Sequence, residues 1–296
     1  MERFEVKTLE SKFVQTADVR LHYLEWAGNG PPAVLLHGTG LCAQGWAPIA
    51  QALSSRFRVL AMDLRGHGDS DKPQHGYDWY KVAGDLPAFI DALELDNILL
   101  VAHSRGGGVA VIGGAQRADR ISGAVLIEPN VPYNSPNPSQ TPGGRAPNFM
   151  EEQARRRRAV WDSREEIYQR YRSVDTFKNW REDALRAYIE GGTRVRNDGR
   201  VELKCPPEVE AQFYQVKPPE GMVELVSKIT FPVLLMTRAA GGQAPQPSPV
   251  ILALEKSVLS FRHITVPNAG HFIPQEQPEA VLEATWEFVG ATAHSS

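Results

Sequence analysis

The chain has 296 residues, 32 Lys and Arg against 35 Asp and Glu, a net charge of −3 and 42% hydrophobic residues. It is long enough to bury a large core and too apolar to be disordered. Its near-balanced charge argues against a nucleic-acid or anionic-membrane partner, and two cysteines cannot build a disulfide framework. The longest apolar runs, such as residues 98–102, are too short to cross a bilayer, and residues 1–6 hold no signal-like apolar stretch. A cytoplasmic location is expected.

In chain order, residues 19–26 and 33–36 read as strands, the second running into a Gly-rich turn. A helix is expected over 46–53, a strand over 58–62 and a long amphipathic helix over 77–93, which Pro87 is expected to kink or divide. Residues 98–102 form a wholly apolar strand, 106–116 a small-residue helix and 124–127 another buried strand. Apolar runs without alternation indicate strands covered on both faces, as in a parallel sheet, and strand–helix alternation gives an α/β architecture.

The pattern breaks at residues 129–147, which hold six prolines and read as a linker or irregular loop. About three helices follow. One opens on the capping box Ser163-Arg164-Glu165-Glu166, one covers 183–190 and stops at Gly191-Gly192, and a third covers 206–216. Alternation resumes with strands over 231–236 and 262–266 and a closing helix over 278–289. The expected organisation is an α/β core, residues 1–129 and 229–296, interrupted by a mainly helical insertion, residues 130–228. The run Arg155 to Arg158, with Glu151 and Glu152 four residues ahead of its first two members, reads as a solvated helix face rather than a nucleic-acid patch.

The most informative segment is Val101-Ala102-His103-Ser104-Arg105-Gly106-Gly107-Gly108. A strand ends and a helix begins around Ser104, so the turn is sharp, and the small residues Ala102 and Gly106 stand two positions to either side. No Lys is present to make this a phosphate loop. A serine hydroxyl needs a base to take its proton and a carboxylate to orient that base. His271, on a loop between the last strand and the last helix, can reach the C-terminal edge of the sheet. His263 lies inside a strand and reads as structural. The other histidines, among them His22, His37, His67 and His103, stand at no metal-ligand spacing, so neither a metal site nor a cofactor is expected.

With these residues the chain resembles the cap-bearing serine hydrolases of the α/β-hydrolase superfamily. Leu36-His37-Gly38-Thr39-Gly40 resembles the family's oxyanion loop, Asp63-Leu64-Arg65-Gly66-His67-Gly68-Asp69-Ser70 its D-x-R-G-x-G-x-S turn, and Asn268 to Phe272 its catalytic-histidine loop. The resemblance implies a mostly parallel sheet flanked by helices, with the insertion as a cap. It also implies Ser104 as nucleophile, His271 as base, and the backbone N–H groups of Thr39 and Arg105 as oxyanion donors. Most members place the acid after the strand that follows the cap, but residues 237–245 contain no carboxylate. Some relatives place it after the strand that precedes the cap, where this chain has Glu128, 24 residues beyond Ser104. Asp63 and Asp69 are weaker alternatives, since that turn ties loops together in the family. Gly38, Trp46 and Cys42 are candidates for the pocket wall, ordinary packing being the competing expectation for the last two.

The activity implied is hydrolysis of a small-molecule carboxylic ester or lactone without a cofactor. Haloalkane dehalogenases and epoxide hydrolases of this fold use an Asp nucleophile, which Ser104 replaces. Cofactor-free perhydrolases and C–C bond hydrolases share the serine and stay open, as does a non-catalytic small-molecule receptor.

Overall fold

The computed structural model describes residues 9–133, 147–239 and 247–292. The first strands are β1 (Leu9–Gln15), β2 (Arg20–Trp26) and β3 (Pro32–Leu36), followed by helix α1 (Ala47–Leu53) and β4 (Arg58–Met62). Next come α2 (Trp79–Ala92), β5 (Ile98–His103), α3 (Arg105–Gly114) and β6 (Ile121–Ile127). The segment after β6 holds α4 (Pro147–Arg155), β7 (Val160–Trp161), α5 (Arg164–Arg172), α6 (Glu182–Gly191), β8 (Thr193–Val195), β9 (Val201–Leu203), α7 (Pro207–Gln215) and α8 (Met222–Val226). The chain then returns through β10 (Val233–Arg238), α9 (Pro249–Ser257), β11 (Phe261–Val266), α10 (Ile273–Glu276) and α11 (Pro278–Thr292).

Eight strands form one sheet in the order β1-β2-β4-β3-β5-β6-β10-β11. The β1–β2 and β2–β4 pairs are antiparallel and the pairs from β4 to β11 are parallel. The expected α/β class with a mostly parallel sheet is observed. Within the all-apolar runs the side chains still alternate between layers. Ile98, Leu100 and Ala102 enter one core with α2, α3, α8 and α9, whereas Leu99 and Val101 enter a second with α1 and α11. Period-two geometry therefore operates without leaving a polar face.

One expectation needs correction. Pro87 does not divide α2, which runs unbroken from Trp79 to Ala92. A proline deprives the carbonyl four residues earlier of its partner. That carbonyl, on Ala83, faces α3 at Gly113, where a Cβ would sit 2.5 Å from the oxygen. The helix α6 ends at Gly191-Gly192 as expected, and it does so without a left-handed residue, Gly192 having φ −85°. Gly191 permits contact, a Cβ there falling 2.1 Å from Gln44 Cβ. The segment between β6 and β10 is mainly helical, as expected, and also holds a small antiparallel sheet of β7, β9 and β8.

The capping box forms with a shift: Ser163 Oγ accepts from Glu166 N at 3.1 Å, while the Glu166 carboxylate reaches back to Asp162 N at 2.9 Å. The Arg run is mostly paired surface. Arg155 meets Glu151 and Glu208, Arg156 meets Glu152, and Arg158 meets Glu166 over the face of Trp161. Arg157 departs from that expectation and turns inward onto Glu210. Most of the Pro-rich stretch 129–147 and most of the 237–245 stretch lie outside the described residues. No helix among the described residues is long and apolar enough to cross a membrane.

Candidate active site

Ser104 occupies the turn between β5 and α3 with φ 51° and ψ −116°, a region that costs a non-glycine residue of order 1–3 kcal/mol. Hydrogen bonds over-determine that conformation. Ser104 N donates to Ile127 O at 3.0 Å, and Ser104 O accepts from Gly107 N at 2.9 Å and Asn130 N at 2.8 Å. The helix can start this close to the sheet only because Gly106 has no side chain; a Cβ there would lie 2.2 Å from Leu36 O. The spacing of small residues around Ser104 thus has a steric cause.

His271 Nε2 lies 3.0 Å from Ser104 Oγ, and His271 Nδ1 lies 3.2 Å from Glu128 Oε2. An ionised carboxylate only accepts, so Nδ1 carries the proton and Nε2 faces the hydroxyl as acceptor. Glu128 follows β6 and has φ 45°; its backbone N donates to Met236 O at 2.8 Å and its Oε1 accepts from Arg238 N at 2.7 Å. The end of β10, where the family's usual acid would stand, therefore supplies a backbone donor that holds Glu128.

Two residues at the site escaped the sequence reading. The Glu276 carboxylate accepts from Gly270 N at 2.5 Å and Phe272 N at 3.3 Å, pinning the loop on both sides of His271. His103 is fully buried and donates from Nε2 to the His271 carbonyl at 2.9 Å. Burial, with His271 nearby, holds the His103 imidazole well below its ordinary range, so it stays neutral. Glu276 carried a legible signal, an acid at the start of a helix five residues after the histidine. His103 carried none.

Gly38 packs so closely against the serine that a Cβ would fall 3.1 Å from Ser104 Cβ. Its carbonyl accepts from His37 Nδ1 at 2.8 Å and Leu41 N at 3.1 Å. Carbonyl and N–H point in opposite directions across a trans peptide, so anchoring Gly38 O turns the Thr39 N–H away from those donors. Among the described residues neither the Thr39 nor the Arg105 N–H has a protein acceptor. The Arg105 side chain leaves the site: its guanidinium lies 3.4 Å from the Trp79 ring centroid, and burial draws its pKa down to about 9.

A cleft of about 580 Å³ opens over these groups. Gly38, Thr39, Ser104, Glu128 and His271 line it together with Val131, Tyr133, Met150, Tyr214, Leu235, Ile251 and Phe272. Trp46 does not line it. That residue is 1% exposed and belongs to the buried cluster of Ile49, Leu53, Leu35 and Val59. Cys42 likewise belongs to a buried cluster with Trp180 and Tyr188, and burial pushes its thiol up to about 12. His263, from β11, reaches the cleft wall and contacts Thr237 Oγ1 at 2.8 Å.

Asp63 and Asp69 sit in the turn after β4, away from His271. Asp63 accepts from His22 Nδ1, Ala43 N and Asp69 N, and these bonds outweigh burial to hold its carboxyl at about 2. Arg65 spans Asp85, Asp18 and the Gly76 carbonyl, tying the same turn to α2. His22, Asp63 and Asp69 present atoms within 4.8 Å of one another, but none of the three lines the cleft and the Asp63 oxygens are already bonded.

Residues 33–284 match the model of the Alpha/beta hydrolase family, and the chain belongs to that family. It is 26% identical over 270 residues to 2-(acetamidomethylene)succinate hydrolase of Mesorhizobium japonicum (strain LMG 29417 / CECT 9101 / MAFF 303099), covering 89% of this chain and 90% of that protein. A solved structure of an E-2-(acetamidomethylene)succinate hydrolase superposes with a TM-score of 0.78 at 23% identity, covering 96% of this chain and 100% of the other. The soluble epoxide hydrolase of Corynebacterium sp. (strain C12) is 36% identical over 109 residues, 37% of this chain and 38% of that protein. The relatives at that higher identity are thus matched over only about a third of their length.

Proposed function

We propose that this member of the Alpha/beta hydrolase family is a serine hydrolase that cleaves a carboxylic ester or lactone through an acyl-enzyme. The observation that carries the reading is the continuous relay from Ser104 Oγ to His271 Nε2 at 3.0 Å and from Nδ1 to Glu128 at 3.2 Å, opening on the cleft. His271 takes the Ser104 proton as the oxygen attacks the carbonyl carbon. Glu128 holds the imidazole in its tautomer and stabilises the imidazolium. The Thr39 and Arg105 N–H groups receive the oxyanion. His271 protonates the departing alcohol, and water, activated by the same imidazole, releases the acid.

Residues 130–228 act in this reading as a cap that selects the substrate, with Tyr133, Met150 and Tyr214 facing the cleft. The reading includes a cytoplasmic enzyme with a small-molecule substrate and no nucleic-acid or membrane partner, in line with the balanced charge and the paired Arg run. A nucleophilic serine in place of an aspartate sets it apart from the epoxide hydrolase among its relatives. A second reading, amide hydrolysis by the same acyl-enzyme route, is supported by the nearly full-length similarity to a hydrolase whose named substrate carries an acetamido group.

The test is a panel of p-nitrophenyl esters, lactones and anilides, with Ser104→Ala as the blank and a fluorophosphonate as covalent label. Turnover and labelling are expected in the parent chain, with a drop of about 10⁴- to 10⁶-fold in the variant. Turnover or labelling that survives Ser104→Ala defeats the assignment.

A further inference from the structure

We propose that Tyr188 is a positioning residue for the oxyanion loop, so that the segment between β6 and β10 holds a donor of the catalytic centre in place. The inference rests on the hydrolase reading above, in which the Thr39 N–H faces the oxyanion.

Gly40 is where the loop is held. Its N–H donates to His67 Nε2 at 2.9 Å, and its carbonyl accepts from the Tyr188 hydroxyl at 2.8 Å. Both peptides flanking Gly40 are therefore fixed. Together with the anchors on Gly38 O, this leaves the Gly38–Thr39 peptide no freedom to flip. His37, His67 and Leu41 come from the core, and among the described residues Tyr188 supplies the hydrogen bond to this loop's backbone from the inserted segment.

Tyr188 is itself over-determined. It is 5% exposed, and burial pushes its hydroxyl well above the ordinary range, which keeps it a donor. Its one proton goes to Gly40 O, and its oxygen accepts from Arg157 Nη2 at 3.1 Å. Arg157 pairs with the buried Glu210. That ion pair rests directly on the loop: a Cβ on residue 40, which has φ +77°, would lie 2.8 Å from Glu210 Oε1 and 3.1 Å from Arg157 Nη1. Three separate stretches of the inserted segment, the turn after α4, α6 and α7, thus converge on one glycine. Gly40, Arg157, Tyr188 and Cys205 jointly line a gap of about 10 Å³, so these residues of the two parts pack closely.

The experiment compares Tyr188→Phe, Gly40→Ala and Tyr171→Phe. The Tyr171 hydroxyl also accepts from Arg157, at 3.2 Å, but touches no loop atom, so its removal controls for loss of a hydroxyl from the same cluster. Tyr188→Phe should lower kcat about 3- to 10-fold, the scale of one neutral hydrogen bond. KM should stay within about twofold, and a boronic acid inhibitor, bound as a tetrahedral anion, should weaken by the same factor as kcat falls. The acid limb of the pH profile should not move, because His271 is untouched. Gly40→Ala should lower kcat further, by up to about 100-fold, and Tyr171→Phe should keep kcat within about twofold. A Tyr188→Phe protein with a lower melting temperature but unchanged kcat and inhibitor affinity overturns the proposal, as does a rise in KM alone. Turnover persisting in Ser104→Ala would instead defeat the hydrolase reading, a separate outcome.

Discussion

The sheet edge and the inserted segment are both well buried where they meet, yet they are built by different means. At the sheet edge main-chain groups do most of the holding: Ser104 and Glu128 bond to backbone N–H and C=O groups on β6, β10 and the first turn of α3, while one side chain, the Glu276 carboxylate, holds the N–H groups of the His271 loop. In the inserted segment side chains do it, through an aromatic cluster of Trp161, Tyr171, Trp180 and Tyr188 and through many Arg–carboxylate pairs. All eight histidines lie outside residues 130–228. Main-chain bonds survive most substitutions, whereas side-chain bonds change with each one. In the proposed reading the chemistry is thus placed where sequence drift moves it least, and substrate choice where drift moves it most.

The sharpest way to break this contrast is Glu128→Gln, which keeps the backbone anchors and removes only the charge. It should lower kcat by about two to four orders of magnitude with little change in stability, read from steady-state rates and thermal melts. Full activity in that variant would place the orienting acid elsewhere.

Next in size comes acid sensitivity confined to the core. Burial keeps His37, His67 and His103 below their ordinary pKa. Above pH about 6.5 both folded and unfolded chains hold these rings neutral, so they add nothing. Below it the unfolded chain gains protons the fold refuses, and stability falls as pH falls. Three such rings give a slope of up to about 4 kcal/mol per pH unit. Urea midpoints measured from pH 7.5 to 5 should show the fall; a flat profile would mean the rings titrate in place.

The finest test lies within the Arg run. Arg157→Ala strands the buried Glu210 and should cost about 3 kcal/mol. Arg156→Ala loses a fully solvated pair and should cost less than about 0.5 kcal/mol. Equal losses in denaturant unfolding would erase the distinction between joint and surface.

The core strands were legible because each apolar run ends at a turn residue, and Ser104 and Glu128 because each follows such a run; His271 follows the mostly exposed strand β11 and was legible from its place on the loop between the last strand and the last helix. The edge strand β1 was missed: Leu9–Gln15 leaves most of both faces exposed, so it lacks the apolar signal. The sheet of β7, β9 and β8 has strands of two and three residues, too short for any period to register. Trp46 was misplaced because nearness in sequence says nothing about which way a short helix turns its face. Phe213 and Tyr214 make the same point on α7, one entering the core and its neighbour the cleft.

Glu128 stands at the tip of β6, the strand beside β5, which ends at Ser104. One β-α-β crossover, the 31 residues of contiguous chain from Ile98 to Glu128, therefore delivers two of the three groups of the proposed relay, and the imidazole alone arrives from afar. The hydroxyl and the carboxylate are thus set side by side by one contiguous crossover, and the main chain of β10 clamps the carboxylate from the next strand over.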